Sequence, residues 1–260
     1  MKLYARLDER NAILARAGFV CLAIFPVLVL LMLLDDRLLT GVNIWLKPSK
    51  FALSIGVYLW TMAWLFSELR RRKWLLTSLA LAIAAAMLIE QSLITLQAAR
   101  GTTSHFNVST PFDATVFSLM GMGVAVNSSA AAVVLLLFCF ERDGERPGYM
   151  WGIRSGLMLF LLGSLEGFAM IQNAAHTVGS PDGGPGIALL NWSTSAGDLR
   201  IAHFVGIHAI QVLPFLGYLV DRSPASVTTR RLAVSIAAFA YAVLGTLTYQ
   251  QALLGKPAFF

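Results

Sequence analysis

The chain has 260 residues, of which 57% are hydrophobic and only 13% are charged, and its mean hydropathy is +0.69. Soluble domains carry about 25% charged residues, so this composition excludes a chain that folds wholly in water. The net charge of +6 does not indicate nucleic-acid binding, because the basic residues lie in short clusters between apolar runs. Such clusters are typical of loops held against an anionic membrane face.

Along the chain, residues 1–16 place leucines and charges on different helical faces, which predicts a short interfacial helix. Apolar runs between breakers then predict an all-α membrane protein, a single bundle of seven transmembrane helices over residues 1–260. The seven predicted helices cover residues 17–34, 51–66, 74–97, 112–140, 150–172, 199–220 and 232–254. Thr110-Pro111 predicts an N-cap followed by proline at the first position of the fourth helix.

Two connections are longer than simple turns. Residues 98–111 and 173–198 are polar and rich in Gly, Ser and Thr. Each follows an odd-numbered helix, so both emerge on the same side of the membrane. Long structured loops are frequently functional, which predicts a site on this side.

The distribution of Lys and Arg sets the predicted orientation. The N-terminal side holds fourteen of the 20 basic residues, namely Lys2, Arg6, Arg10, Arg16, Arg70, Arg71, Arg72, Lys73, Arg142, Arg146, Arg154, Arg222, Arg230 and Arg231. The opposite side holds six, namely Arg37, Lys47, Lys50, Arg100, Arg200 and Lys256. The positive-inside rule therefore predicts a cytoplasmic N-terminus and an external C-terminus.

Histidines and acids gather in the predicted outer leaflet. The four histidines lie in the long loops or in the outer half of the sixth helix, at His105, His176, His203 and His208. Glu90 and Glu166 lie in the outer halves of the third and fifth helices. Ionisable groups in hydrocarbon are costly unless they face a cavity or a partner, so we expect one polar cavity open to the outside between helices three, five and six. The alternative is that each group pins two helices with one hydrogen bond.

Several kinds of chemistry suit these residues. A transition metal, zinc, iron or copper, could be held by His105, His176, His203 and His208. Haem b is a further alternative, although one axial ligand would have to come from a loop. Acid–base catalysis without a metal would use Glu90, Glu166 and His203. In an ideal helix the rings of His203 and His208 lie ~140° apart, so we expect only one of them to face the cavity centre.

The leading expectation is a metal-dependent or acid–base membrane enzyme acting on a lipid-like or other apolar substrate. Expected substrate-binding residues are Lys47, Lys50, Gln97, Arg100, Asn173, Arg200 and Gln211. The rival hypotheses are a small-molecule transporter or receptor and a haem-binding redox protein. For Asp113 and Asp198, near two helix starts, N-capping is the simpler interpretation. For Asn127, within the fourth helix, it is helix packing.

The stretches RGTTSHFN (100–107) and GDLRIAHFVGIHAIQVLP (197–214) resemble segments of uncharacterised bacterial polytopic membrane proteins of about seven helices. Together they cover about a tenth of the chain. The resemblance implies a bacterial inner-membrane location and carries no activity with it.

Overall fold

The computed structural model describes residues 2–70 and 73–258, with the side chain of Lys2 left undescribed. Helix makes up 72% of the structure, and eight α-helices occur within the described residues. In chain order the elements are α1 (Lys2–Arg10), α2 (Ala12–Leu34), β1 (Leu38–Leu39), β2 (Val42–Asn43), α3 (Leu46–Phe66), α4 (Lys73–Ala99), α5 (Pro111–Cys139), α6 (Pro147–Asn173), β3 (Thr177–Val178), β4 (Gly197–Asp198), α7 (Leu199–Val220) and α8 (Val227–Leu253).

Six helices of the described chain are long and apolar enough to cross a membrane: α2, α4, α5, α6, α7 and α8. The chain is therefore an all-α protein of the multi-pass membrane type. The remaining long helix, α3, carries Lys47 and Lys50 near its start and is less apolar. The predicted count of seven spans depends on α3 and stays a prediction, as does the orientation.

The predicted helix boundaries agree with the structure to within three residues, except that α2, α3 and α8 each begin five residues earlier than predicted. The first of these differences lies near the N-terminus. There the predicted interfacial helix extends to residue 16, whereas α1 ends at Arg10. The side chain of Asn11 accepts a hydrogen bond from the Leu14 backbone N–H at 3.1 Å and so caps a new helix. Residues 12–16 therefore belong to α2. Met1 of the interfacial segment, and Arg71 and Arg72 of the charge count, lie outside the described residues.

The backbone contacts divide the chain into two compact units, one up to Ala130 and one from Ala131 onward. The prediction of a single domain stays a prediction. In the first unit, α2 and α3 cross closely at Gly18 and Gly56. A Cβ atom on Gly56 would lie 2.6 Å from Leu22 Cγ, so glycine is what allows this approach.

A small hairpin between α2 and α3 was not predicted. β1 and β2 are antiparallel, and their two-residue turn places Thr40 and Gly41 at φ of 50° and 79°. Two positive φ values are typical of the type I′ turn that suits the twist of a hairpin. The Asn43 side chain anchors the hairpin to α2 by donating to the carbonyls of Met32 and Asp35.

In the second unit, glycines bring α6 and α7 into backbone contact. A Cβ on Gly152 would lie 2.3 Å from the Leu213 carbonyl oxygen, and one on Gly163 would lie 2.6 Å from Gly206 Cα. α8 packs against this pair through an apolar cluster, and its Tyr241 hydroxyl donates to the Val205 carbonyl at 2.8 Å. The α6–α7 pair is thus the closely packed base from which the second long loop emerges.

Candidate functional site

Three ionisable side chains meet in the first unit. α4 carries Glu90, the loop after α4 carries His105, and the first turn of α3 carries Lys47. His105 Nε2 lies 3.7 Å from Glu90 Oε1, and His105 Nδ1 lies 3.1 Å from Lys47 Nζ. The Ser104 hydroxyl is also 3.0 Å from Nδ1. We call Glu90, His105 and Lys47 the acid–base cluster.

Burial makes the carboxylate of this cluster unusual. Glu90 is only 3% exposed, and its Oε2 atom is buried without a hydrogen-bond partner among the described residues. An unsatisfied polar atom costs about 1–3 kcal/mol, more when it is charged. Buried polar atoms without a partner are rare in folded proteins, and many of those that occur bind a ligand or take part in proton transfer.

Aromatic rings form the wall around His105. The ring centroids of Phe51, Phe106 and Phe117 lie 5.9, 6.0 and 6.4 Å from that of His105. Phe106 adopts a positive φ of 58°, which is uncommon for a bulky residue. The rings cover part of His105, whose side chain remains 22% exposed, and apolar neighbours of this kind strengthen the electrostatic interactions within the cluster.

The donors and acceptors indicate where the protons reside. A lysine ammonium can only donate hydrogen bonds, so His105 Nδ1 accepts from Lys47. The neutral imidazole then carries its hydrogen on Nε2, which faces Glu90 Oε1. The 3.7 Å separation exceeds a hydrogen bond, and a closure of less than 1 Å would create one. Glu90 and His105 are therefore neighbours that are not hydrogen-bonded to each other in this structure.

A second polar network closes the loop beside this cluster. The Arg100 guanidinium donates to Asp113 Oδ1 at 2.5 Å and also to Gln97 Oε1. Gln97 donates to the same Asp113 oxygen at 2.9 Å, and Thr110 Oγ1 donates to Asp113 Oδ2 at 2.6 Å. Gln97 and Arg100, both predicted substrate ligands, thus hold the loop between α4 and α5. The expectation that Asp113 caps α5 is wrong: Thr110 is the cap, since its hydroxyl accepts from the Asp113 backbone N–H at 3.1 Å. Asp113 lies in the first turn of α5 and is the ion-pair partner of Arg100.

In the second unit, one aspartate organises the start of the long loop between α6 and α7. Asp182 accepts hydrogen bonds from the backbone N–H groups of His176 and Thr177 and from the Thr177 hydroxyl. His176 Nδ1 lies 2.5 Å from Asp182 Oδ2. Burial alone raises the pKa of Asp182, but the hydrogen bonds and charge of His176, with the bonds from Thr177, bring its pKa well below the usual range.

Because Asp182 holds these backbone groups, we expect the loop between α6 and α7 to lose part of its stability in acid. An aspartate whose folded pKa lies below the unfolded value of about 3.9 stabilises the fold above that pH, and the contribution is lost as the pH falls through the folded pKa. Hydrogen exchange at the His176 and Thr177 amides should therefore show protection that is constant above about pH 5 and falls below pH 4. Asp182→Asn should weaken protection at neutral pH and remove most of the acid dependence. Unchanged protection in the variant would contradict this role.

The far end of the same loop is held by a second aspartate. Asp198 caps α7 through the Arg200 backbone N–H, as expected, and forms a two-pronged ion pair with the Arg200 guanidinium at 2.9 and 2.6 Å. Arg200 also donates to the Asn191 carbonyl at 2.5 Å. At the near end of the loop, Asn173, the last residue of α6, donates to the Thr177 carbonyl at 2.8 Å. These contacts give the predicted substrate ligands Arg200 and Asn173 structural roles in the loop.

The two histidines of α7 face different neighbours, as the helix geometry predicts. His203 Nδ1 hydrogen-bonds the Gly163 carbonyl of α6 at 2.7 Å, whereas His208 Nδ1 bonds the Phe204 carbonyl of its own helix at 2.9 Å. Because a carbonyl only accepts, each ring carries its hydrogen on Nδ1 and exposes the lone pair of Nε2. Glu166 follows Gly163 by one turn and has a buried, unpartnered Oε2 among the described residues. Gln211 is half-buried one turn beyond His208.

The metal prediction finds no support in this arrangement. Among residues 2–70 and 73–258, no group of three or more His, Cys, Asp or Glu side chains is placed to hold a metal ion. The predicted single cavity draws residues from both compact units and stays a prediction. The four predicted metal ligands are divided between the units, with His105 in the first and His176, His203 and His208 in the second.

Sequence reasoning missed part of the site. Ser104 and the rings of Phe51, Phe106 and Phe117 were not among the predicted residues. Lys47 was predicted as a substrate-binding residue, and its contact with His105 was not predicted. The available signal was the adjacency of Ser104, His105 and Phe106 in a polar loop, which by itself does not indicate which helix they contact.

Comparisons with protein-family models, with curated proteins and with solved structures each found no match for this chain. The function is therefore argued from the acid–base cluster itself.

Proposed function

We propose that this protein is a seven-span protein of the bacterial inner membrane and an enzyme of acid–base chemistry. In this proposal Glu90 and His105 transfer a proton to or from a lipid-like or other apolar substrate that enters from the outer face. The observation that carries the proposal is the buried Glu90, whose Oε2 is unpartnered among the described residues and whose Oε1 lies beside His105 Nε2.

The seventh span in this proposal is α3. Its 21 residues extend about 30 Å at 1.5 Å per residue, which matches the hydrocarbon thickness of a bilayer. α1, with nine residues, reaches only about 13 Å and cannot cross. Lys47 and Lys50 would lie at the outer boundary of α3, where long basic side chains extend toward water.

Seven spans predict that the two ends lie in opposite compartments. We expect a fluorescent reporter fused to the N-terminus to be active in the cytoplasm. A phosphatase reporter fused to the C-terminus should be active only in the periplasm. A cytoplasmic location for both ends would reduce the span count to six and remove the argument that Glu90 opens outward.

The roles within the cluster follow from its contacts. Glu90 is the group that exchanges a proton with the substrate, since its Oε2 has no described protein partner. His105 passes protons between Glu90 and the loop, and Lys47 keeps the imidazole in the tautomer that faces Glu90. The aromatic wall suits an apolar substrate.

The proposal predicts chemical turnover that depends on Glu90. Purified protein would be reconstituted with a lipid extract and amphipathic compounds, and products would be followed by mass spectrometry. Glu90→Gln keeps the shape and removes the exchangeable proton, so we expect product formation to fall about 100-fold or more. Glu145→Gln, the same change in an exposed loop, should leave turnover unchanged.

The same vesicles distinguish an enzyme from a transporter. A compound that crosses the vesicle membrane unaltered, at a rate lost in Glu90→Gln, would show transport and overturn the enzyme. Equal product formation by Glu90→Gln and the unaltered protein would remove the acid–base cluster from the mechanism.

A further inference from the structure

A cleft of about 190 Å³ lies at the opposite end of the first unit from the acid–base cluster along α3 and α4. It is formed where α1 meets α2 and where α3 ends near the start of α4. Its lining comes from Arg10, Asn11, Ile13, Phe66, Lys73, Leu76 and Thr77. The positive-inside prediction assigns this end of the unit to the cytoplasmic face.

Arg10 is held in place with part of its hydrogen-bonding capacity unused. Its guanidinium stacks 3.7 Å above the Trp64 ring, and Nη1 contacts Ser67 Oγ at 2.5 Å and Glu68 Oε1 at 3.6 Å. Nε and Nη2 donate to no described residue. An arginine whose orientation is fixed in this way loses little side-chain entropy when it binds an anion.

Lys73 supplies a charge that no described acid neutralises. Its side chain is exposed and forms no ion pair or hydrogen bond with a described residue. No acid lines the cleft, and Glu68 contacts Arg10 from outside the lining. One uncompensated positive charge matches the net charge of a lipid whose head group carries a phosphodiester and no cation.

The rest of the lining suits an amphipathic ligand. Asn11 and Thr77 add polar groups, whereas Ile13, Phe66 and Leu76 are apolar. α1 ends at Arg10 and α3 at Phe66, whereas α2 begins at Ala12 and α4 at Lys73, so the partial charges of these helix ends offset one another and the side chains supply the net charge. A free phosphate would use the polar groups alone, whereas a lipid would also cover the apolar residues.

We propose that this cleft binds the phosphate head group of an anionic phospholipid of the cytoplasmic leaflet. In this site Arg10 Nη2 and Nε and Lys73 Nζ bind the phosphate oxygens, and the first carbons of the lipid contact Ile13, Phe66 and Leu76. The site is independent of the acid–base cluster. It would fix the depth and rotation of α1, α2 and α4 in the membrane.

The test is lipid binding to the full chain in detergent, measured by native mass spectrometry with phosphatidylglycerol, phosphatidylcholine and inorganic phosphate. Lys73→Gln should weaken phosphatidylglycerol binding about fivefold, and Arg10→Gln with Lys73→Gln about 20-fold or more. Arg6→Gln, an equal charge loss on α1 outside the cleft, should change the affinity less than twofold. Phosphatidylcholine binding should be weak and equal in all variants.

Other results would overturn the site. Equal losses in Lys73→Gln and Arg6→Gln would mean that only the overall surface charge attracts the lipid. Displacement of phosphatidylglycerol by millimolar inorganic phosphate would identify a free phosphate as the occupant and refute the lipid. Arg10→Gln also removes the packing of the guanidinium on Trp64, so Arg10→Lys, which keeps the charge, and lipid-free melting curves serve as folding controls. Lys73→Gln alone must still show its loss.

Discussion

Replacing Gly152 with leucine should destabilise the second unit by about 3 kcal/mol or more. The Cβ of any other residue here would lie 2.3 Å from the Leu213 carbonyl oxygen and 2.9 Å from Pro214 Cα. Both atoms belong to the backbone of α7 and cannot move aside as a flexible side chain would. The helices must therefore separate, which loses the close contact that holds α6 and α7 together.

The measurement is thermal unfolding of the purified protein in detergent, followed by tryptophan fluorescence and by the fraction that elutes as a single species. Gly167→Leu is the matched control, since it lies on the same helix and nothing lies within 4 Å of its Cβ. We expect Gly167→Leu to melt within a few degrees of the unaltered protein. Similar melting temperatures for the two leucine variants would refute the close α6–α7 crossing.

Replacing His105 with alanine should lower turnover about 100-fold or more, the usual contribution of a positioned acid or base. The imidazole links Glu90 to Lys47 and Ser104, and its removal leaves Glu90 with no group to exchange protons with. The variant also leaves a space of imidazole size between Phe51, Phe106 and Phe117. Added imidazole should enter that space and restore part of the rate.

Rescue distinguishes a proton-transfer role from a structural one. The restored rate should rise with the concentration of neutral imidazole and therefore increase with pH through the pKa of imidazole near 7. Imidazole should not alter the rate of the unaltered protein. A variant that melts like the unaltered protein, loses turnover and shows no rescue at any pH would contradict proton transfer by His105.

The long helices and their polar connections follow from the sequence because both signals are local. An apolar run of about 20 residues must satisfy its backbone hydrogen bonds internally when lipid surrounds it. α7 occupies residues 199–220 as predicted, and Asp198 caps it. Thr110 and Pro111 start α5 for the same reason, since a cap and a proline act within one turn.

The depth of each residue in the membrane could also be predicted, because it requires only a count of residues from the end of the helix. That count assigned Glu90 and His105 to the same predicted leaflet. It could not assign partners, because residues at equal depth on different helices can lie side by side or far apart. The tertiary structure decided that Lys47 reaches His105 and that Arg100 and Arg200 hold Asp113 and Asp198.

The close crossing of α6 with α7, and the hairpin between α2 and α3, likewise required the structure. A glycine in a helix does not by itself indicate a close helix crossing. Gly167 faces open space, whereas Gly152 faces the backbone of α7, and only the position of the opposing helix distinguishes the two cases. The sequence by itself therefore determined which segments are long and apolar enough to enter lipid, and which residues would be costly to place there. The tertiary structure decided which of those costly residues meet, because side-chain partners depend on the rotation and spacing of helices, which no local pattern encodes.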